Sequence, residues 1–501
     1  MELVAALEAE LGSGAVLAGE AVPERNRSDW SGLPPIVPLA LVRPRTTAEV
    51  AAVLRLCRRH RVPVVPQGGL TGLCGGARPV PGAVALSLER LAGIEEIDPA
   101  MATMTVRAGT PLEAVQKAAD EAGFLVPLDL GARGSCAIGG NLATNAGGNR
   151  VIRYGMAREM VLGLEVVTAD GTIVSNLNKM LKNNAGYDWK QLFLGSEGTL
   201  GVITRAVLRL WPKPGCSGAA FCGLPDFAAV VRLLEAARRG LGPMLSAFEV
   251  MWPRFYDLIT AHASGVRAPL AGRHGAYVLL EMQGTDERFD GPRFEAFLER
   301  VHEAGIVADA AVARSESDVR AFWAIRDAVA EWNRIIGPHF GYDLGLPIDR
   351  TEAFVREAEA ALEARFPGTV AVFFGHLGDS NLHVVVHVPG VAEQPYEELT
   401  EILYGLVRAH GGTISAEHGI GTLKRAWLGH ARSAEEIALM RTLKRALDPD
   451  GPPQPRQGGG GGPQQLDVGR GTRLRTSMSG VRACQSSGCS TREARLEDYL
   501  K

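Results

Sequence analysis

Apolar positions along this chain repeat with two periods, and stretches of one alternate with stretches of the other. Around TTAEVAAVLRLCRRH, Val50, Val53, Leu54 and Cys57 share one face at helical spacing, and Thr46 with Glu49 has the form of a capping box. A helix is expected from Thr46, followed by a short buried strand over residues 62–65. AVALSL and ATMTVRAG then read as strands, and Thr110-Pro111 opens a second helix that Gly123 closes. WPKPG marks a boundary near residue 213. Beyond it, helices are expected over 226–239, 292–304 and 351–365, with one long amphipathic helix through SESDVRAFWAIRDAVAEWNRII. Strand runs such as AYVLLEM between these helices predict an antiparallel sheet covered on one face, so the class is α+β. No repeat of solenoid length occurs.

Composition narrows the partners more than the fold. With 501 residues, 46% hydrophobic and 22% charged, the chain suits a soluble protein of roughly three domains. A net charge of −3 with both signs interspersed offers no footprint for nucleic acid or an anionic membrane, which leaves small molecules. No apolar run is long enough for a transmembrane segment, and the acidic start MELVAALEAELGSG has no basic targeting region, so a cytoplasmic protein is expected. The seven cysteines are irregularly spaced with no C-x-x-C pair, as reduced thiols would be. Residues 452–501 hold six Leu or Val, no Ile or Phe, and eight basic against four acidic residues. Such a segment is expected to be disordered, because it cannot bury enough apolar area to offset its ordering entropy.

Glycine carries the first chemical signal. Neither G-x-G-x-x-G nor G-x-x-x-x-G-K-[ST] is present, which argues against a Rossmann site and a P-loop. PQGGLTGLCGG instead places glycines at 68, 69, 72, 75 and 76, whose amides could form an anion-binding nest with Thr71 as a further donor. A mobile surface loop is the alternative. The second cluster, GSCAIGGNLATNAGG, repeats glycine pairs around Asn141 and Asn145, and two such loops fit a long cofactor better than two idle ones. Histidine carries the second signal. In GHLGDSNLHVVVHVPG, His376 and His383 flank a turn that can bring both rings together, and TISAEHGIG supplies Glu417 beside His418. Two imidazoles and one carboxylate suit a divalent metal with open positions, while two structural histidines at a turn remain the other reading.

Taken in order, PQGGLTGLCGGA, GGNLATNAGGNRVIRYG, LFLGSEGTLG, GHLGDSNLH and SAEHGIG resemble the FAD-dependent D-2-hydroxyacid dehydrogenases, flavoproteins of the vanillyl-alcohol-oxidase type that include D-2-hydroxyglutarate and D-lactate dehydrogenases and glycolate oxidase subunits. The resemblance spans about residues 25–451. It implies an FAD-binding domain of two α+β subdomains over 1–213, a cap domain with a ferredoxin-like antiparallel sheet and a metal site over 214–425, and a helical return to the FAD domain over 426–451. By position it implies that Gly68, Gly69, Leu70, Thr71 and Gly72 cradle the FAD diphosphate, with Pro66, Gln67 and Gly75 also in the cofactor site. Ser135, Gly139, Gly140, Asn141, Thr144, Asn145, Gly148, Tyr154, Glu197, Gly198, Gly201 and Ile203 would complete the cofactor site. Relatives that bind flavin covalently often use a histidine of the first loop; none stands between Pro66 and Ala77, so noncovalent FAD is expected.

The same resemblance implies a zinc or similar divalent ion on His376, His383 and Glu417, with His418 as base, Arg326 pairing the substrate carboxylate and Asn381 alongside. A D-2-hydroxyacid would lose its hydroxyl proton to His418 and a hydride to flavin N5. Electrons would pass to a quinone or an electron-transfer flavoprotein, and a homodimer is one assembly left open. A glycolate-oxidase-type subunit of a larger complex is the alternative within the class. A metal hydrolase would have no use for the glycine loops, and a passive flavin subunit would not be bleached by a hydroxyacid. Three departures bear on the substrate: Gly341, Val385 and Ala330 stand where members specific for D-2-hydroxyglutarate carry lysine, asparagine and threonine. They weaken the case for a second substrate carboxylate, and the substrate is expected to be D-lactate-like or D-2-hydroxyglutarate-like. The family's usual ending is replaced after Gly451 by PPQPRQGGGGG, which suggests a shifted reading frame.

Overall fold

The structure is a computed structural model, and it describes residues 2–391, 393–449 and 451. The tail expected to be disordered and frame-shifted lies outside the described residues. The first half begins with α1 (Glu2–Leu11), β1 (Val16–Leu17), β2 (Ala40–Val42), α2 (Thr47–Arg59), β3 (Val64–Gln67) and β4 (Val84–Ser87). The four strands form one sheet in the order β1, β2, β4, β3, with β2, β3 and β4 parallel and β1 antiparallel at the edge. Thr46 caps α2 as expected, accepting from the Glu49 amide at 3.1 Å, but the Glu49 carboxylate returns to the Arg45 amide at 2.6 Å, one residue before the cap.

A second sheet follows from β5 (Ile94–Asp98) and β6 (Thr103–Arg107). The chain then makes α3 (Leu112–Glu121), β7 (Phe124–Leu125), α4 (Ile138–Ala143) and α5 (Val151–Tyr154). It continues with β8 (Val161–Val167), β9 (Ile173–Asn176), α6 (Lys190–Phe193), β10 (Val202–Arg209) and β11 (Trp211–Pro212). Five of these strands lie antiparallel in the order β5, β6, β10, β8, β9, and β7 pairs with β11. One apolar core runs through both sheets.

In the second half the elements are β12 (Cys216–Leu224), α7 (Phe227–Gly240), β13 (Leu245–Met251), α8 (Pro253–His262), β14 (Ala276–Gly284), α9 (Glu287–Glu303) and β15 (Asp309–Val312). They continue as α10 (Glu316–Asp327), α11 (Trp332–Ile335), β16 (Phe340–Gly345), α12 (Ile348–Arg365), β17 (Val370–His376), β18 (Asn381–His387) and α13 (Tyr396–Ala409), and α14 (Ala434–Leu447) closes the described chain. Seven strands make one antiparallel sheet in the order β15, β12, β14, β13, β17, β18, β16.

That sheet is covered on both faces, not one. Ala220, Cys222 and Leu224 of β12 pack with α7 and α9, whereas Ala219 and Phe221 pack with α8 and α10. Strands with both alternations apolar are what a doubly covered sheet requires. The single long helix expected through SESDVRAFWAIRDAVAEWNRII is also corrected: α10 stops at Asp327, and a 3₁₀ turn, Ala328–Glu331, precedes α11. No glycine or proline announces that turn. A tertiary contact accompanies it, the Glu331 carboxylate accepting from the Ser264 amide at 3.1 Å. Among the described residues no helix is long and apolar enough to cross a membrane.

Candidate active site

The two histidines meet because of register. β17 and β18 form a hairpin in which His383 pairs with Phe374, and His376 stands two residues beyond Phe374, so both rings leave the same face of the sheet. Ser380, at φ 69°, turns the chain between them. The ring centroids are 5.4 Å apart. Glu417 arrives from the loop after α13, with Oε2 at 4.0 Å from Nε2 of His376 and 4.0 Å from Nε2 of His383. One ligand atom of each lies within 4.8 Å of the others, a donor set of the size and chemistry of a divalent-metal site.

Carboxylates stand behind both imidazoles. Glu249 of β13 pairs with His376 across the sheet and meets its Nδ1 at 2.6 Å, and its other oxygen accepts from Arg326 Nε at 2.9 Å. Burial alone would raise the Glu249 carboxyl, but the charges of His376 and Arg326 and their hydrogen bonds outweigh it and hold the group at about 2. Burial opposes charging His376, yet the adjoining Glu249 carboxylate wins and lifts it to about 9. Burial, joined by the positive neighbours His376 and Arg326, pushes His383 well below the ordinary range. Asp343 of β16 pairs in register with His383, its Oδ1 at 4.0 Å from Nδ1.

Arg326 is buried against Phe374, its guanidinium carbon 5.2 Å from the ring centre, so it is no solvated helix residue. Its Nη2 lies 3.0 Å from Nε2 of His376 and can donate to that nitrogen when the ring is neutral. His418 is half-buried, its ring stacked 6.1 Å from that of His383. Asn381 is buried, donates to Asp343 at 2.8 Å and to the Leu344 carbonyl at 3.0 Å, and leaves Oδ1 without a partner.

The glycine loops adjoin this cluster. A Cβ on Gly147 would come within 2.6 Å of Glu417 Oε1, so the second loop lies directly against the carboxylate of the candidate metal cluster. Gly68 and Gly140 sit side by side, the nearest atom of Gly140 lying 3.5 Å from a Cβ placed on Gly68, and a Cβ on Gly140 would meet nothing within 4 Å. Neither has a positive φ, so at Gly140 the missing side chain marks space left for something else, while Gly68 packs against Ala137 and Gly140. Amides 68–76 donate to no protein acceptor among the described residues, and the buried Oδ1 of Asn141 has no partner. These features fit a phosphate-bearing cofactor across the two loops.

Other expected cofactor residues divide into those open to that space and those that brace it. Leu70 takes φ 65° to turn the first loop beside Thr71, Gly72 and Gly75. Gly69, Gly139 and Gly148 are glycines because Ser135, Ala108 and Asp129 crowd them, and Gly201 is crowded by Phe193 and Val167. Thr144 returns its hydroxyl to the Gly140 carbonyl at 3.1 Å. Gly198 packs on Pro66, and Ile203 is buried in the core at a bulge of β10 against β8.

Four side chains of the expected cofactor residues make hydrogen bonds to protein. Gln67 forms a buried amide pair with Asn26, its Nε2 donating to the Asn26 carbonyl and the Asn26 Nδ2 to its Oε1, both at 3.0 Å. Asn145, at φ 50°, accepts from the Arg158 amide at 2.9 Å, and Tyr154 donates to Gln283 at 2.8 Å. Glu197 accepts from the amides of Ile420 and Gly421 at 2.8 and 2.7 Å.

Sequence reasoning missed three acids: Glu249, Asp343 and Glu281. Each interrupts an apolar run (LSAFEVM, GYDLG, AYVLLEM), and that interruption was the available signal. Glu281 ties the halves together, binding Arg150 through Nε at 2.9 Å and Nη2 at 3.1 Å, with Ser246 and Trp323 donating at 2.7 and 3.1 Å.

Two family models match the chain: an FAD binding domain over residues 38–176 and the C-terminal domain of FAD linked oxidases over 214–456. The mitochondrial D-2-hydroxyglutarate dehydrogenase of Bos taurus is 42% identical over 411 residues, covering 82% of this chain and 75% of the relative. The D-2-hydroxyglutarate dehydrogenase of Xanthomonas citri pv. viticola is 42% identical over 426 residues, covering 84% and 89%. Among solved structures, p-cresol methylhydroxylase superposes with a TM-score of 0.73 at 18% identity, covering 90% of this chain and 94% of that one, a likeness of fold.

Proposed function

We infer the function from one premise: this chain belongs to the family of FAD-linked oxidases that contains the D-2-hydroxyglutarate dehydrogenases. It is an FAD-dependent oxidoreductase acting on the CH–OH group of a D-2-hydroxyacid. FAD supplies the hydride acceptor when bound. What the chain contributes is the open position at Gly140 with Gly68 beside it, the amides of 68–76 that have no protein acceptor among the described residues, and the free Oδ1 of Asn141.

We propose further that His376, His383 and Glu417 hold a divalent ion, with zinc suited to two imidazoles and a carboxylate. The ion, when bound, supplies Lewis-acid polarisation of the substrate hydroxyl. Arg326 and a ligand cannot share Nε2 of His376, so ligation there frees one arm of the guanidinium to pair with the substrate carboxylate. His418 takes the hydroxyl proton. The observation that carries this reading is the convergence of the two imidazoles and Glu417 immediately beside Gly147 of the second glycine loop.

The substrate's far end meets apolar wall. Val385 is buried with Val372 and Phe374, and the residue opposite it in register is Gly341, with no side chain to offer. A short or aliphatic D-2-hydroxyacid of the lactate kind fits this wall better than a second carboxylate. Electrons leave for a quinone or an electron-transfer flavoprotein.

Anaerobic bleaching of the purified flavoprotein by a panel of D- and L-2-hydroxyacids, with and without chelator, tests the reading. D-isomers are expected to bleach the flavin, and chelator or His376→Ala to abolish the response. Bleaching indifferent to both removes the metal from the mechanism. Faster bleaching by D-2-hydroxyglutarate than by aliphatic acids removes the apolar preference.

A further inference from the structure

Glu417 and His418 share an unusual feature. Among the described residues neither side chain makes a hydrogen bond to protein; Glu417 comes no nearer than 4.0 Å to the imidazoles, and the nearest charged partner of His418 is Asp343, 3.9 Å from its Nδ1. Their direction is therefore set by their backbone, and that backbone is held by one carboxylate. Asp343 Oδ2 accepts from the amides of Ala416, Glu417 and His418 at 3.1, 2.9 and 2.8 Å and from Ser415 Oγ at 3.2 Å, and Asn381 Nδ2 donates to Oδ1 at 2.8 Å.

Asp343 is fully buried in the middle of a strand, where an apolar residue would avoid the cost of desolvating a charge, several kcal/mol in general. Desolvation would raise its pKa, but His418, Lys424 and His383 nearby and the His418 amide depress it, so it stays ionised. With His383 and His418 it also makes a second cluster of metal-ligand type. Its oxygens are already committed to five donors, which leaves it poorly placed to ligate an ion and well placed to organise a loop.

We propose that Asp343 is the positioning residue of the metal centre: it locks the backbone of residues 415–418 so that Glu417 faces His376 and His383 and His418 faces the substrate hydroxyl. The proposal rests on the metal reading given above. It has a readout independent of turnover. In the full chain loaded with FAD, Asp343→Asn keeps the size of the side chain and removes its charge. Flavin absorbance is expected to be retained, Zn²⁺ affinity measured against a chromogenic chelator to fall about 10- to 100-fold, and the visible bands of the Co²⁺-substituted protein to change. Ser415→Ala removes one donor and should weaken Zn²⁺ in the same direction by less; it also serves if Asp343→Asn fails to fold. Flavin-loaded Asp343→Asn that holds Zn²⁺ as tightly as the parent with unchanged Co²⁺ bands overturns the proposal, as does unchanged affinity in Ser415→Ala should that variant alone fold. A parent protein that takes up neither ion defeats the metal reading and this inference with it, whereas a parent that binds with variants that match it defeats the inference alone.

Discussion

At the scale of single residues, the site is organised by two buried acids, Glu249 and Asp343, set behind the imidazoles. Glu249 joins the His376 imidazole to the Arg326 guanidinium; with the roles proposed for both, Glu249→Gln is expected to lower metal affinity about 10-fold or more and to raise the KM for hydroxyacid. Arg326→Lys keeps the charge but loses the fork; with charge-assisted hydrogen bonds worth about 1.5–3 kcal/mol, kcat/KM should fall about 10- to 100-fold. His376 makes the metal-free protein pH-sensitive. Its folded value, about 9, lies above the ordinary 6.5, so the stability it contributes is fully present below 6.5 and is lost as pH rises through about 9. The melting temperature of the chelated protein should decline over that window, while metal binding, which needs the lone pair, tightens over the same window. These acids were invisible to pattern reading because a strand's period says which face a residue takes, not what waits there from other strands. Histidines at a turn and an adjacent Glu-His pair were legible because their types are scarce and their chemistry is narrow.

At the scale of elements, glycines separate into two kinds that a sequence shows as one letter. Gly140 lies in α4 with open space around it, so Gly140→Ala should gain about 0.8–1.0 kcal/mol of helix propensity. The cofactor-free protein is then expected to melt higher while FAD occupancy after purification falls. Gly139, whose added Cβ would sit 2.6 Å from that of Ala108, should instead lose stability with or without cofactor. Calorimetry of both variants, with flavin absorbance on the same samples, distinguishes the two. Helices α2, α7 and α12 were readable from the sequence, α2 from its cap as well as its apolar spacing, and the break between α10 and α11 was not. A contact with Ser264, a residue remote in the chain, accompanies the break, and no local propensity records it.

For the whole molecule, the two halves are joined at the site by the Arg150–Glu281 pair. Arg150→Met would strand a buried carboxylate; because Arg150 keeps 22% exposure, the expected loss is about 2–3 kcal/mol, below that of a fully buried pair. Urea unfolding should register it, and a double variant with Glu281→Gln should recover part. The order of motifs was enough to expect an α+β flavoprotein with an antiparallel cap sheet, but the sheet's second covered face required knowing that α8 and α10 pack behind it. The contact between Gly147 and Glu417 carries one more consequence. Gly147 has no positive φ, so what bars a larger residue there is a carboxylate far along the chain. A side chain at 147 would have to push the Glu417 carboxylate aside or be matched by a shorter residue there, so descendants of this chain that enlarge 147 should also show change at 417.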